Sequence, residues 1–300
     1  MYGDLLLSGG RSFQAGPNAF VDNRPRNLGR GLRSGAFFVV FACYAIVVIG
    51  LGQRLLLWPA IVLLPRYRTA LVRAWLRAHA RAVLWMARVV GGVRFSIHGE
   101  IPRESCIVVM NHQSVLDIPI GLSLIPGPQT LIPTRDRYRR GIPAISPLAR
   151  LARFPFVSQG ASFARAELQA FVEAVDRVDR GEACLLIFPE GHRTRDGRIG
   201  RFMRGGLRIA LTRAGRPVYC VVADGMTSAR TTREALAQVA GSNVTVSIVG
   251  PFTPPADRLP ESADAFIGML HDTMTNALAQ VRGLGSHSEG HVDTSAIAAR

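Results

Sequence analysis

Lysine is absent from this sequence: all 36 basic residues among its 300 are arginine. The absence excludes a P-loop lysine, a Schiff-base lysine and pyridoxal chemistry. No Gly-x-Ser-x-Gly elbow occurs, which disfavours a serine acyl-enzyme. No CxxC pair occurs either. The four cysteines, Cys43, Cys106, Cys184 and Cys220, stand singly in apolar runs. That pattern argues against a disulfide framework and a zinc site, and for buried thiols in a reducing compartment. Acidic residues are scarce, 21 against 36 basic, for a net charge of +15. Apolar residues make up 48% and the mean hydropathy is +0.19, so general disorder is excluded. A chain of this length holds one large α/β domain or two small ones.

The arginine excess suits a partner that bears phosphate or carboxylate, because a guanidinium fork binds such groups in bidentate fashion. Nucleic acid, an anionic membrane surface and a phosphorylated substrate all fit that description. A blander reading of the same bias is GC-rich coding, which favours arginine over lysine.

Residues 1–34 are rich in Gly, Asn and Arg without a sustained period and read as a mobile arm. Residues 35–65 form a hydrophobic membrane segment. Within it, residues 35–52 are free of charge and as a helix reach ~27 Å, the lower edge of a bilayer span. A second apolar run, 55–64, carries Pro59 and is too short to span alone. Arginines flank the first run on both sides, so the positive-inside rule assigns no orientation. A span, a dipping monotopic helix and a buried core helix all remain open. Residues 69–90 read as a helix whose Arg73, Arg77, Arg81 and Arg88 share an arc of roughly 80° beside tryptophans. Such a stripe suits either an anionic lipid surface or an ordinary solvated face.

Beyond Gly91-Gly92, strands and helices alternate. Strands are expected over 93–98, 106–110, 130–133, 155–158, 183–188, 218–222 and 244–249. Helices are expected over 116–124, 144–153, 205–214 and 263–281, and another runs to Arg180 with Ser162 as its cap. The near-continuous apolar strand 183–188 is expected at the centre of the sheet. The pattern predicts an α/β fold: a mainly parallel central sheet flanked by helices, preceded by the membrane-associated helical segment. The domain is expected over residues 66–282, followed by a disordered tail at 283–300.

Two strand ends carry the chemistry. Strand 106–110 runs into Asn111-His112-Gln113-Ser114-Val115-Leu116-Asp117, which puts a histidine just past a strand's C-terminal end. If the chain turns between them, Asp117 can bind His112 Nδ1–H and leave Nε2 as a base. Strand 183–188 runs into Pro189-Glu190-Gly191-His192-Arg193-Thr194-Arg195, where a carboxylate, a glycine and two arginines suit hydroxyl and phosphate binding. Either segment alone is weak.

Together the two segments resemble the glycerophospholipid acyltransferase family, in particular the bacterial 1-acyl-glycerol-3-phosphate acyltransferases. That family is marked by Asn-His-x4-Asp and, seventy to eighty residues later, by Phe-Pro-Glu-Gly-Thr-Arg-Ser. The matching residues here are Asn111-His112 with Asp117, and Phe188-Pro189-Glu190-Gly191-His192-Arg193-Thr194. Pro133-Thr134-Arg135-Asp136 stands where the family has a lysine-containing block, with Arg135 at the lysine, and 216–221 stands at its apolar-proline strand. The resemblance covers residues 66–251. Two departures are His192 in place of the threonine, and Gln159-Gly160 where an arginine is common.

The resemblance implies transfer of a fatty acyl group from acyl-CoA or acyl carrier protein to the free hydroxyl of lysophosphatidic acid. His112 is then the general base and Asp117 its orienting partner. Arg193 and Arg135 hold the acceptor phosphate. Glu190 binds the acceptor's glycerol hydroxyl or braces the loop, and the Gly191 amide receives the oxyanion. No metal or resident cofactor is needed. Implied partners are membrane lipid and the lysophospholipid, not nucleic acid. The implied location is a bacterial inner membrane, with the site on the cytoplasmic side. Rival readings are another lysophospholipid or lyso-aminolipid acceptor, a metal-dependent phosphohydrolase using His112, Asp117 and Glu190, and a basic nucleic-acid-binding protein.

Overall fold

Strand β2 (Ile107–Met110) and strand β7 (Val218–Asp224) form the middle of a six-stranded sheet in a computed structural model that describes residues 28–158, 164–194, 196–226 and 239–287. The other strands are β1 (Arg94–His98), β3 (Gln129–Leu131), β6 (Ala183–Ile187) and β8 (Asn243–Phe252), in the order β1-β8-β7-β2-β6-β3. Every neighbouring pair is parallel except β7 with β8. The apolar strand β6 is therefore interior but off-centre. Burial on both faces makes β2, β6 and β7 equally apolar, so composition alone cannot order them.

Alternating residues of each strand feed two cores. Val108, Met110, Leu186, Val221 and Ala223 pack with Val72, Leu76, Val83 and Met86 of helix α3 (Arg68–Val89) and with Ile120 of helix α4 (Asp117–Leu124). Ile107, Val109, Leu185, Ile187, Cys220 and Val222 face the other way. They meet Phe171 and Val175 of α6 (Arg165–Asp179), Leu207 and Leu211 of α7 (Arg204–Arg213), and Ile267 and Leu270 of α8 (Pro260–His287). Each buried Val, Leu, Ile, Phe or Met side chain among them stabilises the fold by about 1.5–3 kcal/mol.

A second, two-stranded sheet pairs β4 (Thr134–Arg135) with β5 (Phe156–Val157) in parallel, Arg135 opposite Val157. Residues 130–133, expected as one strand, are thus divided between the main sheet and the turn into β4. Helix α5 (Ile145–Leu151) lies between β4 and β5 in sequence. Ser162, the expected cap of α6, and Gln159 lie outside the described residues. At α6 itself, the Glu167 carboxylate accepts the Ala164 amide at 3.2 Å.

The N-terminal apolar segment departs most from expectation. Helix α1 (Leu28–Cys43) begins within the residues read as an arm, runs through π-helical turns at Tyr44–Leu51 and Gln53–Leu57, and joins α2 (Trp58–Leu63). The two apolar runs are one helix from Gly31 to Leu63, despite Pro59. Widened turns of this kind are where a helix absorbs a proline, and one stands directly before it. Only 11% of its apolar window is buried inside the protein, so it is not a packed core helix. Its inner side meets α3 closely: a Cβ at Gly52 would lie 2.8 Å from the Trp75 ring. Tyr44 Oη hydrogen-bonds His79 Nδ1 across the same contact.

Cys106, Cys184 and Cys220 are buried thiols as expected, and burial pushes Cys220 up to about 12. Cys43 instead lies exposed on the apolar helix. At the other end, α8 continues to His287, past the point where the sequence reads as a tail. Residues 1–27 and 288–300 lie outside the described residues.

Candidate active site

The site begins where β2 stops. Asn111 extends the ladder with its side chain: Nδ2 donates to the Ala223 carbonyl at 2.9 Å, and Oδ1 accepts the Ala223 amide at 2.8 Å. Only an asparagine-like amide presents donor and acceptor together in this way. The chain then turns. Asp117 opens α4, and one of its oxygens, Oδ2, accepts the Gln113 and Ser114 amides at 2.6 Å each and meets His112 Nδ1 at 2.8 Å. Negative charge at a helix start is favoured by the helix dipole. Asp117 is wholly buried, while the His112 side chain keeps 19% of its surface. With Nδ1 engaged, Nε2 is the nitrogen left to move a proton. The His112 ring lies 4.6 Å, centroid to centroid, from that of Phe188. Ser114, by contrast, is buried, and its Oγ accepts the Leu116 amide at 3.3 Å.

The second loop follows β6 and is tied to the first. Glu190 is buried, with Oε1 accepting the His112 amide at 3.1 Å and Oε2 the Gly200 amide at 2.9 Å. Both carboxylate oxygens thus brace backbone. Burial pushes its carboxyl up, and those two amides pull it back. The Thr194 amide donates to the His112 carbonyl at 2.7 Å, a further tie between the loops. Gly191 has φ +68°, a conformation that strains any residue with a side chain, and a Cβ there would lie 2.3 Å from Met203 Sδ and displace it. Its amide, expected to receive an oxyanion, donates to the Phe188 carbonyl at 3.1 Å.

Arg135 reaches across from β4, and its Nη2 donates to the Gly191 carbonyl. Arg193 has a buried Nη1 with no hydrogen-bond partner. Desolvation, and repulsion from Arg137 and Arg193, pull the Arg135 guanidinium down from its ordinary value, although an arginine stays charged. The loop therefore holds a buried N–H and uncompensated positive charge, which suits an anion. His192 is exposed, with Nδ1 against the Arg193 carbonyl at 3.2 Å.

Sequence reasoning missed the outer brace. Asp224, at the end of β7, accepts Gln113 Nε2 at 3.0 Å and is paired with Arg282 of α8, Nε to Oδ2 at 3.0 Å. Arg282 also donates to the Gly197 carbonyl at 2.6 Å. One helical arginine thus ties the histidine loop, β7 and the segment after Thr194 together. No motif announces it, because the partners lie far apart in the chain. Metal ligation by His112, Asp117 and Glu190 does not fit: Asp117 Oδ2 and both Glu190 oxygens already accept N–H donors. Among the described residues, no three His, Cys, Asp or Glu side chains cluster as ligands.

The Acyltransferase family matches residues 92–224, a segment that contains both loops. Over 155 residues the chain is 31% identical to a 1-acyl-sn-glycerol-3-phosphate acyltransferase of Pseudomonas aeruginosa, covering 51% of this chain and 56% of that relative. The match thus spans little more than half the length of that protein. A 1-acyl-sn-glycerol-3-phosphate acyltransferase of Limnanthes douglasii is 27% identical over 254 residues, covering 83% of this chain and 85% of the relative. A lyso-ornithine lipid O-acyltransferase of Pseudomonas aeruginosa is 33% identical over 139 residues, 46% of this chain and 50% of the relative. The fold is that of the crystal structure of the 1-acyl-sn-glycerophosphate (LPA) acyltransferase PlsC from Thermotoga maritima. Its TM-score is 0.60 at 19% identity, over 86% of this chain and 96% of that one.

Proposed function

The chain belongs to the glycerophospholipid acyltransferase family, and from that premise we propose that it acylates the free hydroxyl of lysophosphatidic acid to form phosphatidic acid. The donor is acyl-CoA or acyl carrier protein. One observation carries the reading: a histidine oriented through Nδ1 by a buried carboxylate, on a loop bonded to the one that carries a buried, unpartnered arginine N–H.

His112 Nε2 takes the hydroxyl proton as the acceptor oxygen attacks the thioester carbonyl. The tetrahedral adduct collapses, the C–S bond breaks, and the imidazolium returns the proton to the departing sulfur. Asp117 holds the ring and stabilises its charged form without itself taking the proton. Arg193 binds the acceptor phosphate, with Arg135 adding charge while it holds the Gly191 carbonyl. Glu190 acts by fixing the His112 and Gly200 amides. The helix Gly31–Leu63 anchors the protein in a membrane, which in a bacterium is the inner one with the site facing the cytoplasm, so that both acyl chains stay in lipid.

The lyso-ornithine relative favours one second reading, a lyso-aminolipid acceptor, which would present an amino acid rather than a phosphate to Arg193. Purified protein incubated with labelled acyl-CoA or acyl carrier protein and a panel of lysolipids separates the two. Labelled phosphatidic acid as the main product is expected. Labelled aminolipid from lyso-ornithine lipid, with lysophosphatidic acid left unreacted, would replace the first reading by the second.

A further inference from the structure

The apolar helix carries a single charge between residues 35 and 63, Arg54. Its neighbours Leu55 and Leu56 are exposed, and the ion pairs of the described residues all lie elsewhere. An ionised side chain within an apolar membrane helix calls for a named partner. Beside Arg54 lies a groove of about 400 Å³, lined by Gln53, Arg54 and Trp58 of the helix and by Pro147, Arg150 and Leu151 at α5.

Two features make this groove a built site. Gln53 is only 2% exposed: its Nε2 donates to the Ala144 carbonyl at 2.8 Å, while its Oε1 is buried without a donor. A buried amide oxygen left unsatisfied is rare in folded proteins. Arg54 and Arg150 give the lining two positive charges among largely apolar residues. Arg150 uses one Nη to hold the Arg139 carbonyl, which leaves its other N–H groups for a guest. An anion with a hydroxyl donor and an apolar body satisfies all of these groups together. Trp58, exposed beside them, suits the membrane–water boundary.

We propose that this groove holds one intact anionic bilayer lipid of the phosphatidylglycerol class. Its phosphodiester sits between Arg54 and Arg150, a head-group hydroxyl donates to Gln53 Oε1, and its acyl chains lie along the apolar helix. The lipid is a bound guest that orients the protein, separate from the lipid consumed by reaction. The proposal rests on the apolar helix lying in the bilayer.

The test uses the full chain. Flotation with neutral phosphatidylcholine vesicles at high salt checks the helix. Native mass spectrometry from mixed phosphatidylglycerol and phosphatidylcholine micelles then counts retained lipid. Flotation is expected, with one phosphatidylglycerol retained in preference to phosphatidylcholine. Arg54→Gln and Arg150→Gln should each cut that preference about fivefold, the scale of one arginine at an anionic surface, and Arg81→Gln should not. Failure to float would overturn the membrane reading and the site together. Flotation with equal retention of the two lipids, or with retention indifferent to both substitutions, would overturn the site alone. Displacement of the retained lipid by millimolar coenzyme A would also overturn it, assigning the groove to the donor's phosphates.

Discussion

The two loops of the site are built in opposite ways. On the histidine loop the orienting contacts are made: one oxygen of the buried Asp117 collects two amides and the imidazole, while its Oδ1 and Gln113 Oε1 stay buried without partners. On the arginine loop a buried N–H of Arg193 has no partner, beside a second arginine whose contact is a neutral carbonyl. Hydrogen bonds already formed by the Asp117 oxygen that faces the imidazole fix geometry before substrate arrives, and they stabilise the fold as they do so. A buried N–H left without an acceptor does the reverse, since it costs stability until an anion joins it. Orientation is stored in the first loop and recognition is held open in the second.

Substitutions can break or sharpen this contrast, and the largest effect belongs to the histidine loop. His112→Ala should reduce turnover by ~10²–10⁴ with little change in KM, because a base acts only as the proton moves. Single-turnover kinetics on a folded variant checks it; near-wild-type rates would refute the assignment. Asp117→Asn should be nearly as severe. The amide can favour the wrong imidazole tautomer and leaves backbone donors poorly matched, so Tm should drop together with the rate.

Arg193→Ala tests the open side. KM for a phosphate-bearing acceptor should rise by roughly 10–100-fold, KM for the donor should hardly move, and Tm should stay level or increase. A fall in Tm as large as that of Asp117→Asn would erase the contrast between the loops. Glu190→Gln comes next. Its amide nitrogen cannot accept the second of two backbone N–H groups, so a loss of about 1–3 kcal/mol in stability is expected. Burial raises the Glu190 carboxyl above its ordinary value of 4.5, so its linked stability is complete below that value and declines as pH rises through the folded one. The penalty of Glu190→Gln should therefore be greatest near pH 4 and smaller at pH 8, read from urea midpoints. Smallest of all, Arg282→Gln should lower kcat about two- to fivefold with unchanged acceptor KM, since its pair with Asp224 is partly solvated.

The contrast was legible only in part from sequence. His112 and Asp117 stand five residues apart just past one strand end, so a single turn decides whether they meet, and residue types alone suggest it. The arginine loop was legible as chemistry but not as contacts. Neither the engagement of both Glu190 oxygens by amides nor that of the Gly191 amide by Phe188 follows from Phe-Pro-Glu-Gly. Asn111 with Ala223, and Gln113 with Asp224 and Arg282, were invisible, since only the pairing of β2 with β7, and the docking of α8 beside them, brings these residues together. Arg77 shows the same blindness. Periodicity put it on a basic stripe, yet its guanidinium donates to the Ile125 and Gly127 carbonyls at 2.7 and 2.6 Å, contacts within the protein that the stripe does not reveal.

What the sequence by itself determined is local: the alternation of buried strands and amphipathic helices, the absence of lysine and of a serine elbow, and the placing of both reactive segments just past strand ends. Each follows from side-chain period and residue chemistry within a window of some twenty residues. Tertiary structure decided the rest. It placed β2 and β7 at the centre, merged two apolar runs across Pro59 into one helix, brought Arg282 of α8 onto Asp224, and left one arginine N–H of the site without a partner. These depend on which surfaces meet, and strands that are buried on both faces carry the same apolar pattern whatever their order in the sheet.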